Sequence, residues 1–415
     1  MLNTLQKIKN NSNLLKEYGS PLYVYDYDVI NMRCHEMKRF KEELESKLNG
    51  IKVNMHYSPK ANNNPAILKI VKEAGLNVDC MSPLELSINK KVGFSNSQIL
   101  YVCNNIDQEE MKLVHNADIL ICLDSISQVE MWGELFPNTD IMVRINPGVK
   151  GIGHNQKVIT SGRLTKFGIS EENLYELFDV TKKYNLNIVG THQHLGSLFL
   201  NDKIDDYIAG VKAGLDIIKK YFKNVQIVDL GGGFGVPYKR PEQSLDLLTV
   251  AHKLEEILIS FSKENPSVQE FKFEPGRFIP CEAGILMGTV NAIKHENGIY
   301  WIGTDLGMNE LVRPSMYDSY HEVTLLENRN TEEVTANISG NVCESGDIIA
   351  KDRVLNLPLI NDIILIHNAG AYGYSMASNY TGRPRPAEIM LYDDQVKLIR
   401  KRDTIEYMES NIIWN

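Results

Sequence analysis

From residue 51 onward, short apolar runs alternate with longer stretches whose apolar residues recur at helical spacing. The runs fall at 51–57, 77–81, 98–102, 117–123, 140–145, 187–192, 225–230 and 270–274. Each reads as a short strand buried on both faces, the texture of a parallel sheet. Several helix starts between them are marked. Pro65 opens one after three asparagines, and Ser82-Pro-Leu-Glu85 is a capping box with proline at the first helical position. Asp107, Ser125 and Ser170 mark further starts, and longer helices are predicted over 203–222 and 245–263. A longer glycine-rich loop, 146–168, interrupts the rhythm. Eight strands, seven of them followed by helices, predict an eight-stranded β/α barrel, and a doubly wound open sheet fits the same rhythm.

The flanks differ. Residues 1–20 pattern as helix until Gly19, 21–25 reads as a strand, and 26–48 carries apolar residues at helical spacing. After Arg277, helical spacing gives way to short strands at 284–294, 299–304, 322–326, 333–338, 363–367, 386–391 and 396–400. These predict an all-β domain. The predicted division is a barrel over 27–275 and a β-sheet domain over 276–415, with residues 1–26 contributing a strand to the sheet domain.

Composition narrows the classes. A chain of 415 residues accommodates two domains. Its net charge of -9 argues against a nucleic-acid footprint. None of the six cysteines forms a CxxC pair, so neither a zinc site nor a disulfide framework is predicted, and no metal is expected. The first residues are too polar for a signal peptide, and no apolar run approaches the length of a membrane span. The expectation is a reduced, soluble, cytoplasmic protein.

The unusual residues gather at the C-terminal ends of the predicted barrel strands, the rim where such barrels place reactive groups. Lys60 follows the first strand, and its amine can bind a carbonyl-bearing cofactor if its environment lowers its pKa. His192-Gln-His194-Leu-Gly-Ser197 ends the sixth, with an imidazole for stacking and a hydroxyl for a phosphate oxygen. Gly231, Gly232, Gly233 and Gly235 follow the seventh, where a tight turn or a phosphate site is expected. Glu274-Pro-Gly276-Arg277 ends the eighth, pairing a carboxylate with a planar cation. Taken singly, each also fits an ordinary structural role. The sheet domain adds three polar clusters: Arg313-Pro-Ser-Met-Tyr317 with His321 close behind, Cys343-Glu344-Ser-Gly-Asp347, and Gly370-Ala-Tyr372 leading to Arg383-Pro-Arg385.

Together with Pro59-Lys60-Ala61-Asn62, this ordered set resembles the fold-type III pyridoxal-phosphate-dependent decarboxylases, over residues 21–400, and within them the members that act on diaminopimelate. The resemblance implies the barrel, a homodimer with shared active sites, and decarboxylation of meso-2,6-diaminopimelate to L-lysine. It implies that Lys60 holds the cofactor, that His194 lies against its ring, and that Glu274 pairs with its pyridine nitrogen. Ser197, the glycines at 231, 232, 233 and 235, Gly276 and Arg277 would take the phosphate, with help from Tyr372. Arg277, Arg313, Tyr317, Glu344 and Tyr372 would bind substrate. Cys343 and Glu344 would reach into the partner's site, and Cys343 or Lys60 would return a proton. Asp79 resembles a position near the cofactor lysine. Asn341 and Asn368 depart from the family's usual proline and aspartate, which leaves carboxynorspermidine, ornithine or lysine as alternative substrates. A racemase or a non-catalytic regulator on this scaffold fits the motifs less well.

Overall fold

In a computed structural model, the structure describes residues 2–11, 13–149, 151, 160–162, 165–327, 329–393 and 395–414. Much of the predicted glycine-rich loop, including 152–159, lies outside the described residues. The chain divides into two compact units, one of Met32–Pro237 with Gln243–Phe278, the other of Met1–Asn31, Tyr238–Glu242 and Ile279–Asn415.

The first unit is a closed barrel. Strands Lys52–Tyr57, Asn77–Cys80, Ile99–Val102, Leu120–Leu123, Asp140–Asn146, Asn187–His192, Ile227–Gly232 and Glu270–Glu274 pair in parallel. The last returns to the first through Phe271↔Val53 and Phe273↔Met55, so the sheet has no free edge. The open-sheet alternative is thereby excluded. The expected helices follow the strands, and three of the marked starts carry side-chain caps, whereas Ser125 and Ser170 stand at helix starts without a side-chain cap hydrogen bond. Asn64 accepts the Ala66 N–H ahead of Pro65–Glu73, Ser82 accepts the Glu85 N–H ahead of Pro83–Val92, and Asp107 accepts the Glu110 N–H ahead of Gln108–Asn116. Met142, Val189, Cys122, Leu100 and Val102 form a packed apolar group on adjacent strands.

Parallel register fixes what stands beside what. Arg144 pairs with His192, and His192 with Asp229. These polar residues form a buried row across three neighbouring strands.

The second unit is a nine-stranded mixed sheet. Strand Leu22–Asp26 lies in its middle, antiparallel to Gly284–Glu296 and parallel to Ala387–Leu391. Leu22, Val24, Ile285, Met287, Ile389 and Leu391 pack together, with Ile8 and Leu14 of the N-terminal helices.

Candidate active site

The loop after the first barrel strand explains its asparagines. The Tyr57 hydroxyl donates to the Asn62 carbonyl at 2.9 Å, and the Asn62 side chain accepts the Asn64 N–H at 3.1 Å. Asn64 in turn caps the following helix. The Ser58 N–H donates to the Pro275 carbonyl at 3.1 Å, so the loop carrying Lys60 is tied to the segment carrying Glu274. The Lys60 charge is felt at Glu274, Asp79, His192 and His194, which places all five groups in one neighbourhood.

Glu274 is buried and 3.1 Å from His192 Nε2 through Oε2, while Oε1 has no hydrogen-bond partner. Burial alone would push its carboxyl up. The His192 contact, with Lys60 behind it, outweighs burial and holds it below the ordinary glutamate value. Asp229 and Asp79 go the other way: burial first, then the Glu274 charge, raises both well above the aspartate value. Ser58 Oγ donates to Asp79 at 2.5 Å and the Gly231 N–H donates to Asp229 at 2.9 Å, neither enough to reverse the direction. Within the cluster one carboxyl is thus drawn down and two are pushed up.

His194 accepts the Gly232 N–H at Nδ1 (3.0 Å), which fixes the neutral tautomer with its proton on Nε2. Loss of bulk water, then the charges of Lys60 and Arg144, hold its imidazolium well below the ordinary value. Ser197 Oγ accepts from Arg277 Nη2 at 3.2 Å. The glycine turn is shaped by close approach. Gly231 and Gly233 have φ of +71° and +101°, and a Cβ at Gly232 would stand 1.9 Å from the Glu274 carbonyl oxygen. The amides of Gly231, Gly232 and Gly235 donate to Asp229, His194 and the Phe199 carbonyl. These three amides thereby hold the turn in shape.

The structure thus brings Lys60, His194, Ser197, the glycine turn, Glu274 and Arg277 to one end of the barrel. Arg144 and Asp229 escaped the sequence reading. The signal was present, since each is a charged residue inside an apolar strand (Ile-Met-Val-Arg-Ile; Ile-Val-Asp-Leu-Gly).

The sheet unit gathers its own three clusters. Ser315 Oγ donates to the Gly346 carbonyl at 2.7 Å, joining helix Arg313–Tyr317 to the cysteine loop. The Tyr380 hydroxyl donates to Glu344 at 2.5 Å, and Arg383 donates to the Asn341 carbonyl at 2.9 Å. Asp347 accepts the N–H groups of Met308 and Val342. The loop is braced from several sides, and Cys343 at its tip is exposed with a free thiol. Arg313 is buried, and Tyr317 and Tyr372 are half-buried, Tyr372 with a φ of +57°.

A cofactor with a pyridine nitrogen fits the barrel end. The unpartnered Oε1 of an ionised, buried Glu274 is an acceptor awaiting an N–H, and Lys60 and a neutral imidazole stand within the same electrostatic neighbourhood. Fold and site together define a lysine-bearing β/α-barrel enzyme of amine chemistry. Comparison with known proteins gives the family: residues 33–281 match the pyridoxal-dependent decarboxylases through their pyridoxal binding domain. The diaminopimelate decarboxylase of Methanothermobacter thermautotrophicus is 36% identical over 94% of this chain and 91% of its own length. That of Aquifex aeolicus is 31% identical over 95% and 92%. The structure of the Methanocaldococcus jannaschii enzyme in complex with L-lysine superposes with a TM-score of 0.88 at 29% identity, covering 97% of this chain and 94% of that one. The chain belongs to the pyridoxal-dependent decarboxylase family.

Proposed function

We propose that this protein decarboxylates meso-2,6-diaminopimelate to L-lysine with pyridoxal phosphate. The observation that carries the reading is the ionised Glu274, whose free Oε1 sits in one neighbourhood with Lys60 and His194. When bound, the cofactor supplies an electron sink for the pair released as the α-carboxylate leaves. Lys60 holds it covalently and Glu274 keeps its ring nitrogen protonated. His194, neutral and oriented by Gly232, would help hold the ring. Ser197, the turn of Gly231, Gly232, Gly233 and Gly235, and Gly276 with Arg277 take the phosphate, with Tyr372.

Arg277, Arg313, Tyr317, Glu344 and Tyr372 bind the substrate. Arg313 supports the diaminopimelate assignment, because a buried guanidinium favours a ligand with a second carboxylate and disfavours one without it. Cys343 or Lys60 delivers the proton that replaces carbon dioxide on the α-carbon. Two copies share their sites, with Cys343 and Glu344 serving the partner. The barrel over 27–275 carries the cofactor and the remainder of the chain the substrate-selecting clusters. The enzyme works in the cytoplasm, consistent with the absence, among the described residues, of a helix long and apolar enough to cross a membrane.

The test is the visible spectrum of protein purified with pyridoxal phosphate, followed by addition of meso-diaminopimelate. A cofactor band that is lost in Lys60→Ala, together with equal release of carbon dioxide and lysine, is the expected result. Release of carbon dioxide from ornithine, lysine or carboxynorspermidine alone would overturn the substrate, and absence of the band would overturn the role of Lys60.

A further inference from the structure

Arg313 is held by two hydrogen-bond chains. In the first, Nη1 donates to His321 Nε2 at 2.9 Å, and His321 Nδ1 lies 2.8 Å from the His367 carbonyl oxygen. A carbonyl can only accept, so Nδ1 carries the imidazole proton and Nε2 presents its lone pair to the guanidinium. In the second, Nη1 donates to the Tyr238 hydroxyl at 3.0 Å. That hydroxyl lies 3.0 Å from Cys281 Sγ, which donates to the Asn368 carbonyl at 3.4 Å. With the tyrosine oxygen accepting from Arg313, its proton points to the sulfur, and every donor in the chain finds an acceptor.

The two chains end on consecutive carbonyls, those of His367 and Asn368. These residues follow strand Ile363–Ile366 and lead into the turn that carries Tyr372. Tyr238 also lies beneath the guanidinium, 5.0 Å from ring centroid to Cζ, and meets the His321 ring edge-on at 87°. Arg313, Tyr238, His321 and Cys281 are all buried. Helix Arg313–Tyr317 is a short five-residue element that cannot itself fix so long a side chain.

We infer that His321 and Tyr238 are positioning residues that orient Arg313 for the carboxylate at the substrate's far end, and so set selectivity for a ligand with that carboxylate. This rests on the function proposed above. Neither residue touches the reacting carbon, so their loss should weaken binding of the far carboxylate and leave the chemical step intact. The two chains act in parallel, each conveying the backbone's rigidity to one hydrogen of Nη1.

The ligand pair that reads this out is L-lysine, the product, which retains the far carboxylate, and 1,5-diaminopentane, which lacks it. In the cofactor-loaded full chain, His321→Ala is expected to raise KM for meso-diaminopimelate and the inhibition constant of lysine together, each about tenfold. The expected kcat stays within a few-fold and inhibition by 1,5-diaminopentane is unmoved. His321→Gln, which keeps an acceptor and a donor, should recover much of the loss. Tyr238→Phe deletes one hydroxyl with little change of volume, and provides a second reading should His321→Ala fail to fold. Equal effects on lysine and the diamine, or a fall in kcat at unchanged KM, would overturn the positioning role. Failure of the unmodified enzyme to turn over meso-diaminopimelate would instead overturn the proposed substrate, a separate assay from the variant comparison.

Discussion

Asp79, Asp229 and Glu274 are buried at the end of the barrel, and burial favours protonation of each. Glu274 alone stays below its ordinary value, because His192 faces it and Lys60 lies near. Burial first, and then the Glu274 charge, push Asp79 and Asp229 the other way. The same competition acts in the sheet unit at Glu310, where burial dominates. Its carboxyl is pushed from 4.5 up to about 8, despite the Gly307 N–H that Oε2 accepts at 2.7 Å. A raised folded-state value means that the native protein binds more protons than the unfolded chain between those two pH values. Stability is fully present below pH 4.5 and falls as pH rises toward 8. Glu310→Gln removes that dependence, and its amide oxygen can keep the Gly307 N–H as donor. The variant is expected to melt higher than the parent at pH 8, by an amount on the order of a few kcal/mol, with little gain at pH 5. Parallel melting temperatures across pH 5–8 would contradict this. At this scale the sequence exposes residues that stand on loops, such as Lys60, His194 and Glu344, because packing does not explain them there. Arg144 and Asp229 hide inside strands, and their chemistry emerges only when register sets them beside His192.

At the scale of elements, local chemistry does more than hydrophobic period. Asp246 caps helix Leu247–Glu264, accepting the N–H groups of Leu248 and Thr249 at 3.1 and 3.2 Å and the Thr249 hydroxyl at 2.7 Å. The Thr249 hydroxyl first, and then its N–H, hold this carboxyl below the aspartate value. Asp246→Ala is expected to cost about 1 kcal/mol at neutral pH by chemical denaturation. The difference should shrink as pH falls through the parent's lowered value, since protonation weakens the same acceptor. A pH-independent difference would show that the cap acts through shape rather than charge. All eight barrel strands were legible, because burial on both faces leaves short, largely apolar runs. Strand Ile348–Asn356 was not, because its Lys-Asp-Arg segment is solvent-facing and breaks the alternation. Helix Arg313–Tyr317 was too short to show a period and reads from sequence only as a polar cluster. The clusters themselves were visible, but their convergence was not, since it depends on single contacts such as Ser315 to the Gly346 carbonyl.

For the molecule as a whole, the consequence of the proposed function lies in how two chains divide the work. Lys60 stands on a loop of the barrel unit, and Cys343 on a braced, exposed loop of the sheet unit. A thiol held rigidly at a loop tip is suited to serve a site on another copy, since bracing fixes its position and exposure leaves it reachable. If each site takes Lys60 from one chain and Cys343 from the other, a chain lacking either residue forms only defective sites with itself. A mixed dimer of Lys60→Ala with Cys343→Ala has one site that lacks both residues and one that lacks neither. With free exchange at equal amounts, half of the dimers are mixed, and the mixture should recover about a quarter of parental activity. The measurement is carbon dioxide release after the two inactive variants are co-incubated under mild dissociating conditions and returned to assay buffer. If both residues of a site come from the same chain, every site in every mixture lacks one of them, and activity stays at the level of the separate variants. Recovery therefore distinguishes a shared site from a self-contained one without requiring that Cys343 be the proton donor, because any essential role of its side chain gives the same arithmetic.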